Sequence, residues 1–113
     1  MLDLPDLLFQ AHSKMVSKMT LRHLEVFSKV AQRKSFAQAG EDLHVSRSSI
    51  SALVGALERE LETKLIERLG NKVRLTDAGA DLLASAQEIL RGVESLKKRI
   101  AEVSALKKEG NDL

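Results

Sequence analysis

The sequence predicts a mainly helical fold: three short helices, a small two-stranded hairpin, and one long helix that follows them. Three observations predict it. Apolar residues recur at helical spacing in three blocks between Leu21 and Leu61, two short apolar runs flank Gly70-Asn71, and no proline interrupts the chain after Thr76.

The 113 residues have room for one compact domain with a projecting element, which excludes a bilobed enzyme. Cysteine is absent, so there is no disulfide framework and no thiolate metal site, and a reducing cytoplasm is the expected location. No run approaches the roughly 20 apolar residues of a membrane span. The start, MLDLPDLLFQ, is acidic where a secretory signal is basic, so a soluble, unexported protein without a membrane partner is expected. With 18 basic and 16 acidic residues the net charge is only +2, too balanced for composition to name a polyanion partner. The distribution of charge has to decide.

Residues 1–18 read as an extension in which Leu4, Leu7 and Leu8 could form one short apolar face behind Pro5; no function is assigned to it. Met15 and Met19 each mark a possible start. From a capping Thr20, the spacing of Leu21, Leu24, Phe27, Val30 and Ala31 predicts a first helix with Arg22, Lys29 and Arg33 turned outward. Ser35 caps a second, two-turn helix with Phe36, Ala39 and Leu43 on one face, ending at a polar break around His44. Ser46 opens a third, whose stripe is Ile50, Leu53, Val54, Leu57 and Leu61.

Two short helices joined by a few residues suggest a helix-turn-helix. Ala39, Leu43, Val45, Ile50 and Leu53 place apolar groups on the facing sides of that pair and on the turn between them. Ala39-Gly40 supplies small residues where two backbones would approach, although Gly40 costs its own helix about 1 kcal/mol against alanine. Between Leu65 and Leu75, the apolar runs around Gly70-Asn71 predict a two-stranded wing, since both residues tolerate the positive φ of a tight hairpin. The fold class is therefore a winged helix-turn-helix over 19–76, continued by a helix over 77–109 and a tail at 110–113.

With the apolar groups turned inward, the start of the third helix presents Arg47, Ser48, Ser49 and Ser51 as a narrow polar surface that fits a major groove. Arginine can donate to guanine O6 and N7 together, while serine hydroxyls and the free N–H groups of a helix N-terminus suit phosphate oxygens. Serines also favour helix starts for local reasons, so it is the surrounding helix-turn-helix pattern that turns this stretch into a reading head. Arg68, Lys72 and Arg74 beside Asn71 give the wing a local excess of positive charge suited to phosphate or minor-groove contact.

Over Leu21 to Gly79 the sequence resembles the amino-terminal domain of LysR-type transcriptional regulators, through SFAQAGEDLHVSRSSISALVGALERELETKLIERLGNKVRLTDAG at 35–79. Matching positions include Leu24, Phe27, Ser35-Phe36, Leu43, Val45-Ser46, Ile50-Ser51, Leu57-Glu58, Leu65, Arg68 and Val73 to Gly79. The resemblance implies a linker helix that pairs two copies antiparallel, and a larger carboxy-terminal domain that senses a small-molecule inducer in a full-length parent. It implies that Arg47 approaches bases, that Ser46, Ser48 and Ser51 approach phosphates, and that the Asn71-Lys72 tip approaches the neighbouring backbone or minor groove. Ser35, Ser49, Arg68 and Arg74 complete the candidate DNA-contacting set. Departures from the family pattern fall at Arg47 (often Gln), Ser48 (often Pro), Gly40 (usually Ala), Glu62 (usually Gly) and Ile66 (usually Phe), so an operator sequence does not transfer.

In the last helix Leu82, Ala86, Ile89, Val93, Leu96, Ile100 and Val103 alternate spacings of four and three, a heptad seam that asks for a partner helix. About 30 residues at about 1.5 Å each make a helix longer than the small domain is wide, so part of the stripe must project. Projecting apolar surface predicts a homodimer, and two reading heads on a twofold axis predict a pseudo-palindromic double-stranded DNA site. His12, His23 and His44 lack metal-ligand spacing, and the serines lack an evident base or oxyanion motif, so neither a metal, nor another cofactor, nor catalysis is expected. The end at Leu113 fits either a natural short regulator that forms mixed dimers with a longer relative or, the preferred reading, a piece cut just past the linker helix.

Overall fold

The structure is a computed structural model that describes residues 18–111, with side chains through Lys108. The expected apolar face of the extension and the last residues of the expected tail lie outside the described residues. The described chain forms α1 (Leu21–Arg33), α2 (Phe36–Leu43), α3 (Arg47–Leu61), β1 (Ile66–Leu69), β2 (Lys72–Leu75) and α4 (Asp77–Asn111), which is the winged helix-turn-helix and long helix read from the sequence.

Each short helix starts on the residue that the sequence offers as a cap. The Thr20 hydroxyl accepts from the His23 N–H, and the His23 Nδ1 in turn accepts from the Thr20 N–H, a reciprocal pair that satisfies two otherwise orphaned donors. Ser35 caps α2 through the Gln38 N–H, and Ser46 caps α3 through the Ser49 N–H. At the other ends, Lys34, His44 and Glu62 all adopt the left-handed conformation, with φ of 54°, 56° and 53°. That conformation releases the chain from each helix at a conformational cost glycine would avoid.

The core is built around α1, which packs against α2 and α3 on one side and against α4 on the other. Leu24, Phe27, Val30 and Ala31 are buried as their spacing predicts, but so are Val26 and Ser28, because two layers cover the helix. Leu21, expected inside, is 46% exposed: it sits at the open end of α1, beside Leu90 and Val93 of α4. Phe36 and Ala39 from α2 and Ile50, Val54 and Leu57 from α3 close the remaining side, with Leu43, Val45, Leu53 and Leu61 packed around them. At Gly40 the reason for a missing side chain is steric: a Cβ would lie 2.6 Å from the Val45 carbonyl oxygen. That approach also lets the Val45 N–H donate to the Gly40 carbonyl at 2.9 Å, which closes the turn between α2 and α3.

β1 and β2 pair antiparallel with Ile66 opposite Leu75 and Leu69 opposite Lys72, leaving a two-residue loop. Only Gly70 takes a positive φ there, 65°, so the glycine at the first loop position makes the turn and Asn71 does not share the role. Ile66 and Val73 point into the core, while Glu67 and Arg74 pair on the outer face. Thr76 then ties the wing to α4: its N–H donates to the Leu65 carbonyl, its hydroxyl donates to the Lys64 carbonyl at 2.7 Å and accepts from the Gly79 N–H at 3.0 Å.

α4 runs for 35 residues, through Gly110 to Asn111, so the helix passes the point at 109 where the sequence pattern ends it. At about 1.5 Å per residue it is some 52 Å long, consistent with a longest molecular extent of 63 Å. The proposed seam divides along this length. Ala86 is fully buried in its own chain, which corrects that seam position to intramolecular packing, and Leu82 is partly buried against the same core. Val93 is half-buried, whereas Ile89, Leu96, Ile100 and Val103 are exposed, joined by Leu106, which the heptad spacing omits.

Candidate nucleic-acid interface

The sequence and the turn at Gly40 together place the first turn of α3 at the surface. Arg47, Ser48 and Ser49 are exposed there, while Ile50 directly behind them is fully buried and anchors the helix. Arg47 forms no ion pair among the described residues, which leaves its guanidinium donors uncommitted. The Ser46 hydroxyl accepts from the Ser49 N–H at 3.1 Å and donates to the Ser49 hydroxyl at 2.8 Å, with the Ser48 hydroxyl 3.2 Å away. The Ile50 N–H is taken by the Ser46 carbonyl. The N–H groups of Arg47 and Ser48 are the helix donors that have no acceptor four residues back and no cap, and they carry the partial positive charge of the helix end.

Several members of the expected contact set have intramolecular partners. Ser35 and Ser46 spend their hydroxyls as caps. Arg68 does not reach outward from the wing: its guanidinium lies over the Phe36 ring, 4.6 Å from the centroid, and donates to the Ser51 hydroxyl at 2.8 Å. Arg74 donates to the Glu67 carboxylate at 2.5 Å across the strand pair. Asn71 and Lys72 remain exposed at the wing tip, and Lys72 has no ion pair among the described residues. The structure thus brings Ser51 of α3, Phe36 of α2 and Arg68 of β1 together.

Two residues that the sequence reading left out shape this surface. The Glu58 carboxylate, largely shielded on α3, accepts from the Leu65 N–H at 2.8 Å and from the Ile66 N–H at 3.4 Å. It fixes where the wing leaves α3, and Lys64 partly neutralises it at 3.8 Å. A glutamate seven residues before the first wing residue carries no periodic signal, so only its place in the family pattern hinted at a role. Lys34 stands exposed at the end of α1, and its carbonyl accepts from the Val73 N–H of β2 at 3.1 Å. Turn chemistry hides such a residue, because nothing local ties it to a wing far along the chain.

Glu62 and Ile66 depart from the family pattern without opening the turn before the wing. Glu62 adopts the left-handed conformation a glycine would take there, and Ile66 is buried. No described helix is long and apolar enough to cross a membrane, and no described cluster of His, Cys, Asp or Glu could hold a metal ion.

Comparison with known proteins agrees with this geometry. A family model described as bacterial regulatory helix-turn-helix protein, lysR family, matches residues 21–80. An uncharacterised HTH-type transcriptional regulator of Azotobacter vinelandii is 42% identical over 82 residues, 73% of this chain and 57% of its own length. The RuBisCO operon transcriptional regulator of Allochromatium vinosum is 39% identical over 88 residues, 75% of this chain and 29% of its own length. The chain therefore spans little more than half of one curated relative and less than a third of the other. Among solved structures, the DNA-binding domain of BenM in complex with benA site 1 DNA superposes with a TM-score of 0.72 at 29% identity, covering 75% of this chain and 99% of that one. That of CbnR in complex with DNA gives 0.72 at 34% identity, covering 76% and 99%. With the three helices, the wing and the long helix all in place and the family model matching over more than half of its length, this chain belongs to the lysR family of bacterial regulatory helix-turn-helix proteins.

Proposed function

We propose that the chain binds double-stranded DNA sequence-specifically as a homodimer, reading the major groove with α3 and acting as the DNA-binding part of a cytoplasmic transcriptional regulator. The observation that carries this reading is the first turn of α3: an unpaired Arg47 between exposed serines, on a helix held by a buried Ile50. Residues 19–76 form the binding unit and 77–109 the linker. Arg47 reaches base edges. Ser48, Ser49 and the free N–H groups beside them meet phosphates, as do Asn71 and Lys72 at the wing tip. Ser35, Ser46, Ser51, Arg68 and Arg74 act chiefly by holding these elements, with Ser51 and Arg68 at the edge of the contact surface. The similarity to two DNA-bound domains of the same fold supports the assignment. The function is binding, with no reaction chemistry and no cofactor.

The exposed face of α4, Ile89, Leu96, Ile100 and Val103 with Leu106, supports pairing of two copies. Its charges favour the antiparallel arrangement. Asp77, Asp81, Glu88 and Glu94 face only Arg91 in the first half, whereas Lys97, Lys98, Arg99, Lys107 and Lys108 dominate the second. Antiparallel pairing sets opposite signs beside one another, and parallel pairing sets like signs together.

Selection of bound sequences from random duplex DNA at two salt concentrations tests the reading. The expected result is a motif with twofold symmetry, and Arg47→Ala costs about 1 to 3 kcal/mol of discrimination at one position of each half. Sequence-blind binding that simply fades with salt, or an Arg47→Ala chain with unchanged preference, overturns it.

A further inference from the structure

Past the buried Ala86, the contact between α4 and the head opens into a groove between the start of α1 and the middle of α4. Leu21 of α1 and Leu90 and Val93 of α4 supply its apolar lining, with Leu21 left nearly half exposed and the other two half-buried. The rest of the lining is already neutral, since Arg22 pairs with Glu25 on α1 and Lys97 pairs with Glu94 at 3.7 Å on α4. What the groove lacks is an apolar side chain rather than a charge. It also faces a different way from the exposed stripe of α4. At about 100° per residue, Leu90 and Lys97 stand more than a quarter turn round the helix from Ile89 and Leu96.

The chain itself supplies an occupant of matching chemistry. Residues 2–9, LDLPDLLF, hold four leucines and a phenylalanine, and the chain's other two phenylalanines, Phe27 and Phe36, are both in the core. Leu4, Leu7 and Leu8 have the spacing of one short apolar face. The connection is short. Leu21, in the lining, follows Gln10 by eleven residues, and Met19 just before it is partly buried against the core. That stretch spans at most about 35 Å, while the lining from Leu90 to Lys97 covers only about 10 Å of α4, so residues 2–9 can reach back to the groove. Charge agrees: residues 1–10 carry Asp3 and Asp6 and no cation, while 91–100 carry Arg91, Lys97, Lys98 and Arg99 against Glu94 alone.

We propose that residues 2–9 turn back onto their own chain and seat Leu4, Leu7 and Leu8 in the groove between α1 and α4, with Asp3 and Asp6 toward the basic stretch that begins at Lys97. The segment is an intramolecular strap that bridges the head and α4 past Ala86 and stiffens the angle between them. The inference needs no DNA contact and is tested apart from the function proposed above.

Because the chain has no cysteine, a pair of introduced thiols reports one contact without interference. The test uses the full chain carrying Gln10→Cys, outside the leucine set, with either Glu94→Cys in the lining or Ser95→Cys outside it. Both α4 positions are exposed and adjacent in sequence, so the tether is nearly equal and the face of the helix differs. Unfolding midpoints of the reduced variants equal to the parent's confirm that they fold. Disulfide closure within one chain, followed on a non-reducing denaturing gel, is expected to be about tenfold faster with Glu94→Cys than with Ser95→Cys, since burying even one leucine multiplies occupancy by about that factor. Adding Leu7→Ser and Leu8→Ser should bring the Glu94→Cys rate down to the Ser95→Cys rate. Equal rates at the two positions, or a fast Glu94→Cys rate that the two serines leave unchanged, overturn the strap. A disulfide that joins two chains, with a yield that rises with protein concentration, also overturns it and gives the groove to a second copy's segment.

Discussion

The head, residues 19–76, and the far half of α4 are built from the same residue types and differ in what covers them. In the head each apolar stripe finds its partner within the chain: Phe27, Ile50 and Leu57 are almost wholly buried, and the wing is tied down by Glu58, Thr76 and the Lys34 carbonyl. Beyond Leu90, α4 carries a comparable stripe that the other described elements leave largely exposed. Ile100, Val103 and Leu106 are 57%, 59% and 68% exposed. Burial of such side chains contributes roughly 1.5 to 3 kcal/mol each, so a surface of this kind stabilises whatever second helix lies on it. One region is closed by its own fold, and the other is open to a partner.

Ala86 and Ile100 break this comparison most sharply, because they occupy equivalent places in one stripe. Ala86→Glu drives a carboxylate into the fully buried contact of α4 with the head and should cost about 4 kcal/mol, a large share of the stability of so small a domain. Ile100→Glu should leave the fold intact, yield monomers in sedimentation, and abolish the dependence of the unfolding midpoint on protein concentration. Equal unfolding by the two substitutions would mean that the far half of α4 is also part of the domain core.

Glu58→Ala probes the next largest effect, at the joint between reading helix and wing. It strips two N–H groups of a shielded acceptor, a loss of about 1 to 3 kcal/mol by urea unfolding. Because the wing then loses its fixed exit from α3, DNA affinity should fall while the base preference we propose for Arg47 stays. Loss of that preference would show that Glu58 acts on α3 itself.

The same comparison explains what could be read from the sequence. The helices were legible because Thr20, Ser35 and Ser46 cap them and the apolar spacing is short-range. The wing was legible because one glycine in a two-residue loop fixes its register. The division of α4 was not, since a heptad stripe looks alike whether it packs on its own head, as at Leu82 and Ala86, or stands exposed, as at Leu96 and Ile100. Leu106 escaped the pattern by standing off the heptad. Within the site, the exposed Arg47 followed from periodicity alone. The diversion of Arg68 to Phe36 and Ser51, and of Arg74 to Glu67, depended on which strands and helices meet. Lys34 stayed hidden for the same reason, its link to the wing being one main-chain bond across the fold.

The smallest effect lies at Glu62, where head stability depends on backbone conformation alone. Its φ of 53° is left-handed, a region in which a side chain costs about 1 kcal/mol and glycine almost nothing. The Thr63 N–H donates to the Glu58 carbonyl at 3.1 Å and the Glu62 N–H to the Arg59 carbonyl at 3.3 Å, so the turn is already formed and no contact must be remade. The Glu62 side chain is exposed and makes no ion pair among the described residues. Glu62→Gly should therefore raise head stability by roughly 0.5 to 1 kcal/mol, with dimer dissociation unchanged because the residue lies in the turn before β1, outside α4. The glycine's freedom in the unfolded chain opposes the gain, so a fall in the unfolding midpoint would show that the left-handed turn at 62 is less strained than its φ implies.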